Sequence, residues 1–258
     1  MRASDAGPRP EAAAAYLRET GGNVRLPFEA QIDDRTLLTQ DGLLMQVIRL
    51  DGLMFETADT DELNYRKTLR DATLRAVASP RFAIYHHIIR RRVEPARTGS
   101  FPDAFSQGLD AIWTARLATK KLYANDLFLT VLRRPLRGSA GVAGRVAGLF
   151  GRGAKVARPD PADAAELRAL DAAVEQIVAA LSAYGARILT AYNTPGGPCS
   201  EPLEFLSALY NAEFRPVRLP YGPLDDYLPY RRLSFGQDTL SLSPAGTNPG
   251  SLGAIVSI

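Results

Sequence analysis

The sequence predicts an α+β fold, a mixed or antiparallel sheet packed with about four helices. Short runs of β-branched and aromatic residues alternate with segments of helical period. A preferred hairpin dipeptide, Asp41-Gly42, separates two of the apolar runs. No glycine fingerprint of a nucleotide-binding crossover follows any predicted strand, which argues against a parallel, doubly wound sheet.

Residues 1–24, rich in Ala, Gly, Pro and Arg, read as a flexible N-terminal tail. Thr36–Thr39 and Leu43–Leu50 then read as two strands joined at Asp41-Gly42. Asp59 followed by Glu62 has the form of a capping box, and Leu63–Ala78 contains neither Gly nor Pro before Pro80, so a helix belongs there. Phe82–Ile89 is dense in aromatic and β-branched residues and predicts a strand that leaves the core at Arg90-Arg91-Arg92. A second helix is predicted over about Asp103–Leu122, with Phe105, Leu109, Ile112, Trp113 and Leu117 at helical spacing, and Asp126–Leu132 returns as a strand. The third helix has the clearest period, a stripe of Leu167, Leu170, Val174, Ile177, Val178 and Leu181 that ends near Gly185. Ala186–Tyr192 reads as a strand. Ser200 then caps a fourth helix with Pro202 in its first turn. Prolines at 216, 220, 223 and 229 force an extended path before a closing hairpin at Leu233–Phe235 and Thr239–Ser243.

Composition is that of an ordinary globular protein: 46% hydrophobic and 23% charged, with 31 basic against 28 acidic residues. So small a basic excess does not by itself call for nucleic acid. The lone Cys199 cannot form an internal disulfide, which fits a reducing compartment and makes the cytoplasm the default expectation. The N-terminal alanine run is interrupted by charge and lacks the apolar core of a signal peptide, and no stretch of 18 apolar residues occurs.

Taken in order, a series of segments resembles the N-terminal region of the CagE/TrbE-type ATPases of type IV secretion and conjugal transfer. It runs from Arg25-Leu26-Pro27-Phe28 through Gly52-Leu53-Met54-Phe55-Glu56, Asp61-Glu62-Leu63-Asn64 and His86-His87 to Leu122-Tyr123-Ala124-Asn125-Asp126-Leu127-Phe128-Leu129-Thr130. It continues through Tyr184-Gly185-Ala186-Arg187, Glu204-Phe205-Leu206, Arg218-Leu219-Pro220 and Phe235-Gly236-Gln237-Asp238. The resemblance implies that residues 25–258 are a non-catalytic assembly module, docking a motor to the inner-membrane secretion machinery. The implied partners are sibling subunits of a hexamer and inner-membrane secretion components. The implied location is cytoplasmic, peripheral to the bacterial inner membrane. In this family such a region precedes a RecA-like motor that uses ATP and magnesium. That motor is absent from these residues, and the strand-like Ala254–Ile258 reads as the cut end of a longer protein.

No cofactor and no catalytic or metal-binding set is expected in the chain itself. A phosphate loop needs G-x-x-x-x-G-K-[ST]. The nearest text, Gly148–Val156, puts Ala154 between Gly153 and Lys155 and Val156 where the hydroxyl belongs. His86 and His87, the only histidines, point to opposite faces of a strand and cannot share a metal from one side. Asp225 and Asp226 sit among prolines, where Asp serves turns. Arg90, Arg91 and Arg92 are candidate contacts for a partner or, in the alternative reading of the chain as a nucleic-acid-binding module, for phosphate; a solvated strand end or salt-bridge set is the commoner meaning of such a run.

The inserted segment 136–158 is basic and glycine-rich. From Arg133 to Arg158 there are seven basic residues, no acidic one and six glycines. Val142, Val146, Leu149 and Phe150 have the spacing of one helical face, flanked by Arg145, Arg152 and Lys155, a pattern that suits an anionic membrane surface. Glycines at about 1 kcal/mol each oppose a helix there, which favours a loop.

Overall fold

The computed structural model describes residues 26–53, 58–93, 99–134, 161–220, 222–235, 239–243 and 250–253. The N-terminal tail and the basic segment with Arg145, Arg152 and Lys155 lie outside them. The chain divides into two compact units: one of residues 43–142 and 157–189, the other of residues 1–42, 143–156 and 190–258. In chain order the elements begin β1 (Phe28–Gln31), β2 (Leu37–Thr39), β3 (Leu44–Leu50), α1 (Thr60–Val77), β4 (Phe82–Val93), α2 (Ala104–Ala118), β5 (Leu122–Arg133), α3 (Pro161–Ala180) and β6 (Arg187–Ile188). They continue with β7 (Ala191–Thr194), β8 (Gly197–Ser200), α4 (Glu201–Asn211), α5 (Leu224–Tyr227), β9 (Leu233–Phe235), β10 (Leu240–Leu242) and β11 (Ser251–Gly253). The strand pairings within each unit are antiparallel, and the class is α+β as the sequence predicts.

In the unit of residues 43–142 and 157–189, the sheet runs β6-β3-β5-β4. α3 packs on β3 and on α1, because its apolar stripe is continuous: Leu170, Val174 and Ile177 are completely buried and Leu181 nearly so. After a short 3-10 turn, Gly185 takes φ +65°, and the Tyr184 carbonyl accepts from the Asp51 and Gly52 amides. A Cβ at Gly185 would meet the Asp51 carboxylate at 2.5 Å, so glycine is required there twice over, by conformation and by space.

On the strand face beneath α3, Gln46 Nε2 donates to Asp171 Oδ1 at 2.7 Å. Glu166 Oε2 accepts from Arg133 Nε at 2.7 Å and from Arg81 Nη2. Arg133 in turn lies over the Phe82 ring, 4.8 Å from its centroid. The hydrogen bond from Arg81, joined by that from Arg133, holds the Glu166 carboxyl below its ordinary pKa against the opposing effect of burial.

α1 begins at Asp59, whose carboxylate accepts from the Thr60 amide, and only Thr73 and Val77 along it are buried. Asp59 is thus the capping residue as predicted, whereas Glu62, the other member of the predicted box, accepts from Arg66 Nη2. The sequence-predicted strand at Phe82–Ile89 is longer than expected: it continues through the three arginines to Val93, because the pairing with β5 satisfies their backbone while their side chains stay in water. The second helix is shorter than predicted, ending at Ala118, and Leu122 already belongs to β5.

In the other unit, Asp33 Oδ1 accepts from the Arg35 and Thr36 amides and closes the turn between β1 and β2. The strand predicted over Ala186–Tyr192 proves to be two short ones: β6, which ends the first unit, and β7, which pairs with β8 here. Ser200 caps α4, its Oγ accepting from the Leu203 amide at 3.3 Å and donating to Gln31 Oε1 at 2.6 Å. The helix buries Leu203, Phe205, Leu206 and Ala208. It ends on Ala212 in the left-handed region, φ 53°. Beside that end Asn211 is almost wholly buried and fully used: Nδ2 donates to the Ser207 and Leu228 carbonyls, and Oδ1 accepts from the Tyr230 and Arg231 amides. The predicted closing hairpin is β9 with β10, and β11 adds a third strand.

Candidate interaction surface

β4 and β5 pair over their full lengths, from Phe82 opposite Arg133 to Val93 opposite Leu122, whereas β3 accompanies β5 only as far as Leu127. Among the described residues the last five pairs, Ile89–Val93 with Leu122–Asp126, thus extend past β3 as a two-stranded ribbon, and α2 is the connection between its strands. Alternation along β4 divides the arginine triplet. Arg90 and Arg92 share one face, with Tyr123 directly opposite Arg92, while Arg91 lies on the other. Arg91 Nε donates to Asp126 Oδ2 at 2.5 Å, and Arg49 Nη2 is 3.7 Å from Oδ1 of the same carboxylate. The hydrogen bond to Asp126 pushes the Arg91 guanidinium pKa up. With Arg91 half exposed, this ion pair contributes less than about 1 kcal/mol. Arg90 lies over the Tyr123 ring at 4.7 Å. The three cations therefore cannot converge on one phosphate.

α2 is capped by Asp103, whose carboxylate accepts from Ser106 N at 2.7 Å and Ser106 Oγ at 2.8 Å. These bonds hold the Asp103 carboxyl below its ordinary pKa. The burial pattern of this helix is inverted. Its less exposed line is Ser106, Asp110, Thr114 and Leu117, spaced four, four and three residues apart. Its large apolar residues face solvent: Phe105 is 80% exposed, Ile112 70%, Leu109 59% and Trp113 58%. The apolar spacing in the sequence identifies the helix correctly but not which side of it the chain covers. Arg116, also exposed, follows Phe105, Leu109 and Ile112 on the same face, and Lys120 is exposed in the turn that follows the helix. Tyr123 on the ribbon and Ile88 just before it add exposed surface beside Arg90 and Arg92.

Of the other singled-out residues, His86 shares the β4 face of Ile88, Arg90 and Arg92 by alternation. His86 is exposed and His87 faces the opposite side, its Nε2 3.0 Å from Thr130 Oγ1. Burial, with a smaller effect of His86, lowers the His87 pKa. Among the described residues no group of three or more His, Cys, Asp or Glu side chains could hold a metal ion. Asp225 accepts from Gln40 Nε2 at 3.1 Å and from the Asp226 amide at 3.0 Å, the behaviour of a turn residue. No helix among the described residues is long and apolar enough to cross a membrane.

Residues 35–140 match the family profile of the type IV secretion system ATPase VirB4/TrbE, N-terminal domain. The type IV secretion system protein virB4 of Brucella suis biovar 1 is 31% identical over 229 residues, covering 85% of this chain and 27% of the relative. The virB4 protein of Bartonella henselae is 29% identical over 218 residues, 84% of this chain and 27% of the relative. The PtlC protein of Bordetella pertussis is 26% identical over 221 residues, 84% of this chain and 26% of the relative. The chain thus spans about a quarter of the length of the relatives it matches. The family resemblance read from the sequence holds.

Proposed function

We propose, from the premise that this chain corresponds to the N-terminal region of the VirB4/TrbE ATPases of type IV secretion, that it is a docking module without catalytic chemistry of its own. It attaches a motor to the inner-membrane secretion machinery and to sibling subunits, with a hexamer as the expected assembly. The observation that carries this reading is the outward-facing apolar side of α2 on an extended ribbon, a surface built for contact rather than for a reaction. ATP and magnesium belong in this reading to the motor, since no phosphate-loop motif occurs in the 258 residues. Export of DNA or protein is then the work of the longer protein, and the cytoplasmic face of the inner membrane is where this module works. The basic residues Arg145, Arg152 and Lys155 contribute to membrane attachment through anionic lipid, at up to about 1 kcal/mol each.

The nucleic-acid reading has less support, because strand alternation separates Arg91 from Arg90 and Arg92 and Asp126 already engages it. The reading is tested by expressing the chain in bacteria that carry the secretion system. It should fractionate with the inner membrane, co-purify with other secretion components, and show no magnesium-dependent ATP binding by calorimetry. Recovery of the chain only in the soluble fraction, free of secretion components, would sink the docking role. Steeply salt-dependent DNA binding would replace it with the alternative.

A further inference from the structure

We infer that the outward face of α2 is itself a membrane-contact surface, in which Phe105, Leu109, Ile112 and Trp113 enter an anionic lipid surface while Arg116 and Lys120 meet its headgroups. This deepens the docking reading and rests on it.

In a helix stabilised by its own domain, the apolar stripe would lie inward. In α2 the inward line is Ser106, Asp110, Thr114 and Leu117, and four large apolar side chains each keep more than half of their surface in water. Charge then decides among possible occupants. Both acidic residues near the helix, Asp103 and Asp110, lie on or beside the inward line, about half a turn from Phe105. The presented face carries cations and no carboxylate, so it is complementary to an anionic surface with apolar depth. A second copy of the same helix packed in parallel would bring Arg116 against its own counterpart, which opposes that arrangement. A phenylalanine, a tryptophan and aliphatic residues bordered by basic side chains are the composition of helices that lie in the lipid interface, with tryptophan at headgroup level.

Trp113 is the only tryptophan in the protein, so its fluorescence reports this face alone. Vesicles containing phosphatidylglycerol should shift its emission to the blue and shield it from aqueous quenchers, and vesicles of phosphatidylcholine should do so much less. The double variant Leu109→Asp/Ile112→Asp alters exposed side chains, so its circular dichroism and melting should match the parent. Its co-sedimentation with phosphatidylglycerol vesicles should weaken by about tenfold or more. A third protein, with residues 138–156 replaced by a Gly-Ser linker, separates this inference from the broader reading. If the linker variant loses vesicle binding while the double variant keeps it, the α2 inference falls and membrane docking stands. If the parent binds neither vesicle type, with Trp113 emission unchanged, both the inference and direct lipid attachment fall. If sedimentation velocity shows a parent dimer that the double variant abolishes, the face belongs to a second copy and the inference is overturned.

Discussion

Replacing Glu166 with alanine should lower the stability of the unit that contains it by about 3 kcal/mol. In the structure Glu166 is 8% exposed and is the shared acceptor for Arg133, also 8% exposed, and for Arg81. Removing one member of a buried ion pair typically costs about 3–5 kcal/mol, because the surviving charge is left desolvated and unpaired. The lower end applies here for two reasons. The Arg81 side chain retains 31% of its exposure and can turn to water, and Arg133 keeps its position over the Phe82 ring. The unit, at about 130 residues, lies between the sizes that lose roughly 4–8 °C and 2–4 °C per kcal/mol, so at about 4 °C per kcal/mol the melting temperature should fall by about 12 °C. The assay is thermal unfolding followed by circular dichroism at neutral pH, on the parent, Glu166→Ala, and a double variant Glu166→Leu/Arg133→Met that removes the buried pair together. The double variant should recover much of the loss, since the cost of the single change lies mainly in the stranded cation. A Glu166→Ala protein melting within a degree or so of the parent would refute the reasoning, because the arginines would then have to be satisfied without the carboxylate.

The same carboxylate should leave a signature in acid. Its folded pKa is depressed below 4.5, so the unfolded chain takes up the proton first. The associated stability is complete above that value and disappears as pH falls through the lower folded value; melting temperature against pH should therefore drop less steeply for Glu166→Gln than for the parent. Ile177→Asp, at a position with no exposure, should abolish soluble folding, and an unchanged melt would mean the stripe of α3 is not core. Asn211→Ala should destabilise its own unit by about 2–3 kcal/mol, because the Tyr230 and Arg231 amides and the Leu228 carbonyl lose their partner; chemical denaturation measures it.

Much of this architecture is legible in the sequence where a local signal determines the structure. The caps Asp59 and Ser200, the turn at Asp41-Gly42, the stripe from Leu170 to Leu181 and the positive-φ Gly185 each depend on neighbours within a few residues, and each is found in place. What escapes the sequence is set by distant partners. Glu166 meets Arg81 across 85 positions and Arg133 across 33, and nothing near any of the three announces the cluster. Asn211 likewise gives no local sign of the hub it forms with Leu228, Tyr230 and Arg231. The strand end at Arg90–Arg92 was hidden because charged side chains predict solvent, while the backbone beneath them is paired with β5. The orientation of α2 could not be read at all, since a period of 3.6 marks a stripe and is silent about which way it turns.

Among the described residues β4 is the last strand of its sheet, and at twelve residues it offers an edge roughly 40 Å long. An edge of that length is a template on which stray chains accrete, especially where it carries Tyr85, Ile88 and Ile89. Arg90 and Arg92 put positive charge on one face of this border while Arg91 on the other is paired with Asp126, so a second copy aligning along it in parallel register would meet repulsion on the first face. Exposed arginines at such a border oppose edge-to-edge association, whatever else they contact.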